Sequence, residues 1–135
     1  MNVVVCLDDK NGMLFHNRRQ SKDRYVCDHL LNYAQGNRLW MNAYSAAQFL
    51  QLPQTVNVAE DYLDRAEAED ICFVENADLT AFAEKIGTII VYRWNRVYPA
   101  DVRLPAELLS ARTLTHTEEF LGYSHDKITQ EIYSL

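Results

Sequence analysis

The sequence lacks most of the residue patterns that tie a chain to metals, disulfides or polyanions. It has three cysteines, Cys6, Cys27 and Cys72, an odd number with no C-x-x-C spacing, which excludes a zinc ribbon or a dithiol redox motif. Each lies among apolar neighbours, as buried, reduced thiols do. The four histidines, His16, His29, His116 and His125, form no H-x-H, H-x-x-x-H or Cys/His pair. The His-x-His-x-Asp-His string of two-zinc nucleases is missing too, so no metal site is expected. A G-x-S-x-G elbow is absent, and with it the sequence signal for a serine hydrolase. Positive charge is in deficit, with 13 Lys and Arg against 19 Asp and Glu and a net charge of −6. That leaves no broad basic face for nucleic acid. The first apolar run meets Asp8 and Asp9 within a few residues and has no basic leader, so neither a signal peptide nor a membrane span is expected. These absences lead to the expectation of a soluble, cytoplasmic protein. With no repeat, low-complexity tract or linker, residues 1–135 read as a single domain.

What is present is an ordinary globular composition, 48% hydrophobic and 24% charged, in a chain long enough to bury a core without staples. Short β-rich runs alternate with short helical patterns. Val3–Leu7 is too brief for a helix and reads as a buried strand. Lys22 to Gln35 carries Val26, Leu30, Tyr33 and Ala34 on one helical face, with Gly36 to end it. Strand signals follow at 38–41, 55–58, 71–74 and 88–94, separated by helical patterns at 42–50, 59–68 and 76–85. The tail changes character, and 112–120 and 127–133 alternate polar and apolar residues around a turn holding Gly122 and Ser124. The fold class expected is α/β, a mostly parallel central sheet flanked by short helices with a C-terminal antiparallel strand pair.

The chemistry concentrates near the N-terminus. After the first strand, Arg18, Arg19, Lys22 and Arg24 fall within seven residues of an otherwise acidic chain. Ser21 is placed to cap the next helix, with Asp23 in its first turn. A strand that feeds a loop and a helix N-terminus is where open α/β sheets place ligands. Val5 and Leu7 are therefore expected in the floor of a crevice, with Tyr92 at a neighbouring strand end. Arg18 and Arg19 would contact an anion, and Tyr44 and Tyr92 could stack on a planar group. The loop 9–20 is polar, its only apolar anchors being Met13, Leu14 and Phe15, and is expected to be mobile without ligand.

The order of elements resembles the dihydrofolate reductase family. The run ICFVENADLTAFAEKIGTIIVYRWNRVYPADVRLP is similar to that family's strand, helix and long strand ending in a D-x-x-x-P segment, here Asp101 to Pro105. SHDKITQEIY resembles the final strand, and VVVCLDDKNGM the first strand and the turn into an active-site loop. The resemblance implies that Asp23 is the catalytic carboxylate that binds a pterin through paired hydrogen bonds. The chain departs from the family in three places. Arg18-Arg19-Gln20-Ser21 replaces a Leu-Pro-Trp segment, Asn42-Ala43-Tyr44-Ser45 a glycine-and-arginine turn, and Glu75-Asn76 a glycine pair at the pyrophosphate. Glutamate there blocks close approach and repels phosphate. The expectation is a protein that binds a small planar or anionic metabolite, with no cofactor and no NADPH site. The alternatives are a diverged pterin- or nucleotide-dependent oxidoreductase, and a non-catalytic structural or partner-binding protein whose crevice is filled by side chains. The partner expected is a small molecule, with neither nucleic acid nor membrane, and a homo-oligomer is left open.

Overall fold

The computed structural model describes residues 1–135. Strand β1 (Asn2–Leu7) occupies the middle of a seven-stranded sheet, parallel to β6 (Ile71–Phe73) on one side and β7 (Ile89–Arg93) on the other. Beyond β6 lie β4 (Leu39–Met41) and β5 (Asn57–Val58), also parallel. Beyond β7 lie β10 (Ile128–Ser134) and β9 (Thr113–Phe120), both pairings antiparallel. The order is β5-β4-β6-β1-β7-β10-β9, the architecture expected from the alternation of elements. Parallel strands flanked by covering layers must be apolar on both faces, and β1 obeys this with Val3, Val4, Val5 and Leu7 all fully buried.

Side chains alternate across the sheet. Val3, Val5 and Leu7 point to one face, where they meet Leu79, Ile86, Leu104 and Leu108. Val4 points to the other, against Val26 and Leu30 of α1 (Arg24–Tyr33), together with Ile90, Tyr92 and Ile128. Each buried leucine or valine here contributes about 2 kcal/mol. Cys72 is buried, Cys6 and Cys27 are half-buried, and all three are free thiols. Burial pushes Cys27 and Cys72 up to about 12, so they are inert. No helix is long and apolar enough to cross a membrane.

Several elements differ from the sequence expectation. The first helix begins at Arg24, with Asp23 itself as N-cap and its carboxylate accepting from the Tyr25 N–H, so Ser21 does not cap it. Helix α2 (Ala43–Ala46) and helix α3 (Tyr62–Arg65) are single turns. Leu79–Lys85 is a 3₁₀ helix, capped by Asp78. A short α4 (Ala106–Ser110) follows Pro105, unannounced by its five residues. The largest difference lies at 9–20. There β2 (Gly12–Phe15) turns back through His16 and Asn17 into β3 (Arg18–Arg19), and β8 (Val102–Arg103) pairs with β2 from the other side. His16 and Asn17 both have positive φ, 51° and 62°, the two-residue turn whose twist matches a hairpin. Met13 and Leu14 are buried and hold the hairpin on the body of the protein.

Candidate functional site

At the ends of the parallel strands, where open α/β sheets hold ligands, this protein places its own side chains. Arg19 and Arg18 point to opposite sides of β3. Arg19 reaches inward, and its Nε and Nη2 donate to the two Glu75 carboxylate oxygens at 2.9 and 3.1 Å. Its guanidinium lies 4.1 Å from the centre of the Tyr44 ring, and its backbone N–H donates to the Tyr44 hydroxyl at 2.9 Å. Ser45 Oγ and Gln48 Nε2 complete the shell of Glu75 Oε1 at 2.8 and 2.9 Å. The glutamate expected to repel phosphate is thus neutralised internally. The residual cavity between Cys6, Met13, Arg19, Ser21, Glu75 and Trp94 is only about 10 Å³, room for about one water.

Asp23 is bound in a second network. The resemblance makes Asp23 a pterin ligand, but here each oxygen of its carboxylate already accepts hydrogen bonds from within the chain. Oδ1 accepts from the Tyr25 and Tyr123 N–H groups at 2.9 Å each. Oδ2 accepts from Ser124 N–H at 2.9 Å, Ser124 Oγ at 3.2 Å and His125 Nδ1 at 2.8 Å. Burial by itself would raise this carboxyl. The donors from His125, Tyr123, Ser124 and Tyr25 outweigh it and hold the pKa at about 2. His125 carries the network onward. Its ring stacks on Trp94, centroids 4.7 Å apart, and its Nε2 lies 3.0 Å from Ser21 Oγ and 3.2 Å from the Tyr98 hydroxyl. Gly122 makes the approach possible, since a Cβ there would sit 2.6 Å from the His125 carbonyl and 2.8 Å from Asp23 Oδ2.

The remaining expected residues disperse. Val5 and Leu7 are fully buried on the sheet face away from α1, while Tyr92 is fully buried on the α1 face. Residues two apart on a strand share a face, and Tyr92 is paired with Cys6, so it lies on the opposite face of the sheet from Val5 and Leu7. The Tyr92 hydroxyl is held by His29 Nδ1 at 2.7 Å and Gln130 Nε2 at 3.3 Å, and is a core group. Tyr44 is paired with Arg19. Arg18 is exposed and, with His16 and Pro99, edges a shallow depression. Lys22 and Arg24 lie elsewhere, on the rim of the largest groove, about 780 Å³, walled by Leu31, Phe49, Leu50 and Tyr123. Arg24 sits 4.7 Å over the Tyr123 ring, and Asp28 adds a carboxylate to the lining. Sequence reasoning missed Ser21 and His125 as partners. They stand 104 residues apart, and the only local hint was the Ser-x-Asp spacing of Ser21 and Asp23.

No protein-family model matches the sequence, and no curated protein matches it either. Among solved structures the chain is similar to dihydrofolate reductase from Enterococcus faecalis complexed with NADP(H) and RAB-propyl. The TM-score is 0.67 at 9% sequence identity, over 98% of this chain and 94% of that one. Two chains that superpose along nearly their whole length at such low identity share an architecture and little of their surface chemistry. The chain has the dihydrofolate reductase-like fold.

Proposed function

We propose that this protein uses the reductase fold to bind a small planar or anionic metabolite and does not hold NADPH. The observation that carries the reading is the groove beside α1. It combines two cationic side chains, Lys22 and Arg24, with an apolar and aromatic wall of Leu31, Phe49 and Tyr123, and its volume is that of a small-molecule site. A flat ring would lie along the wall with its acidic group toward the Lys22–Arg24 rim. Asp28 disfavours ligands with a second anion at that end. Asp23 supports the groove by fixing its Tyr123–Ser124 edge rather than by touching the ligand. The Arg19–Glu75 pair argues against a dinucleotide, because a phosphate would have to displace a bidentate ion pair. A thermal-shift plate of nucleotides, folates and flavins tests the proposal. We expect a stabilising hit that is weakened by Arg24→Glu and by Phe49→Ala. Stabilisation by NADPH would instead support the diverged oxidoreductase.

A second reading, a non-catalytic structural or partner-binding protein, is favoured by the filled crevice itself. Silence across the whole plate would promote it over the first.

A further inference from the structure

Ser21, His125 and Asp23 stand in the order and spacing of a nucleophile, base and orienting carboxylate, although no local sequence motif announces them. Ser21 Oγ is 3.0 Å from His125 Nε2, and His125 Nδ1 is 2.8 Å from Asp23 Oδ2. Both distances are within hydrogen-bond reach, and such a constellation is recognised by geometry and roles rather than by chain position. The carboxylate fixes the tautomer. It accepts a hydrogen bond from Nδ1–H, which leaves Nε2 as the acceptor facing the serine hydroxyl. The side chains of Asp23 and His125 are almost completely buried, at 0% and 3% exposure, and the stack on Trp94 sets the ring plane. Ser21, by contrast, is half-exposed, as an attacking group must be. It lies just ahead of the ten-residue α1, and the backbone N–H groups of Ser21, Lys22 and Asp23 make no hydrogen bond within the chain. Tyr98 supplies another donor. Its hydroxyl shares Nε2 with Ser21 at 3.2 Å and is released once Nε2 is protonated.

We propose that Ser21 is an acyl-accepting nucleophile with His125 as its general base and Asp23 as a positioning residue, acting on small activated esters that reach its half-exposed hydroxyl from solvent. Its reacting groups, Ser21 and His125, lie outside the lining of the groove beside α1, although Asp23 and Ser124 border both. In the acylation step Ser21 Oγ attacks the ester carbonyl carbon as its proton passes to His125 Nε2. The carbonyl electron pair moves onto oxygen, where unpaired backbone N–H groups and the Tyr98 hydroxyl can meet it. Collapse re-forms the carbonyl and breaks the bond to the alcohol, which leaves with the Nε2 proton. Water then adds to the acyl-serine by the same route, giving the carboxylic acid and free Ser21. A surface serine that merely satisfies a buried imidazole has the same geometry, so reactivity must separate the two.

The test uses the full-length protein with p-nitrophenyl acetate and diisopropyl fluorophosphate, followed by peptide mapping. The expected result is a covalent adduct on Ser21 and a burst whose rate rises with pH along a single ionisation. The groups that face the imidazole, Asp23, Tyr98, Ser21 and Ser124, make this the readout of base catalysis. Ser21→Ala should lower acylation by about 100-fold or more while keeping its circular dichroism spectrum. Asp23→Asn should flatten the pH profile by favouring the wrong tautomer. Labelling at Tyr98, Lys22 or another serine, no adduct at all, or Ser21→Ala reacting at the wild-type rate would each overturn the assignment. If a variant does not fold, the adduct map of the unaltered protein decides alone.

Discussion

Asp23 illustrates how one residue type can be legible while its job is not. A carboxylate ahead of an amphipathic helix is readable from sequence, and the helix is there. What the residue does depends on Tyr123, Ser124 and His125, a hundred positions away, which no local pattern reveals. Because five donors converge on it, Asp23→Ala should cost about 3 kcal/mol, the sum of a lost cap and stranded buried donors, measurable by urea unfolding at neutral pH. The pH dependence has a definite sign. The folded pKa of about 2 lies below the unfolded value near 3.9. The stabilisation is therefore complete above pH ~4 and is lost as pH falls toward 2, on the order of 2 kcal/mol in all. Unfolding midpoints between pH 5 and 2 should show this loss in the native protein and a shallower one in Asp23→Asn. Glu75 makes the complementary case. Its position in the chain marked it as a departure from the reductase pattern, yet its partner Arg19 was read as a free anion contact. Removing the carboxylate in Glu75→Ala leaves the Arg19 charge half-buried and unpaired, and should cost roughly 3–5 kcal/mol. A loss below 1 kcal/mol would mean that the pair is solvated and the crevice open.

At the scale of elements, the strands were the more readable part. β1, β6 and β7 are short apolar runs bounded by turn residues, and the tail alternates with period two, so β9 and β10 appear near their expected positions. Helices shorter than two turns were over-extended. The 59–68 and 42–50 patterns have helical spacing, but Ala66 turns to extended backbone at the end of α3, and beyond Ala47 α2 loosens into single turns at Gln48 and Phe49. The segment 9–20 was read by its polarity as a mobile loop, whereas its structure comes from two apolar anchors and a turn of two positive-φ residues. Leu14→Ala should therefore cost about 2–4 kcal/mol, and the β2–β3 amides should exchange slowly without any ligand. Exchange as fast as in the free chain would restore the mobile-loop reading. The β9–β10 turn makes a second element-level prediction. Gly122→Ala places a methyl group against the His125 carbonyl and the Asp23 carboxylate. It should lower stability by about 1–3 kcal/mol and loosen the Asp23 network with it.

On the scale of the whole molecule, the order of elements and the resemblance in the second half pointed to a reductase-like architecture, and the superposition bears that out. The contents of the crevice were less legible, because a filled crevice depends on which side chains meet across β3, α2 and the end of β6. The central claim is that this fold has replaced its dinucleotide contacts with the internal Arg19–Glu75 pair. The direct test is the melting temperature of the pure protein with increasing NADPH. A cofactor present at a hundred times its dissociation constant would add about 2.7 kcal/mol, an upward shift of roughly 10 °C for a domain of this size. The account predicts no shift up to millimolar NADPH, and a saturable rise of several degrees would contradict it.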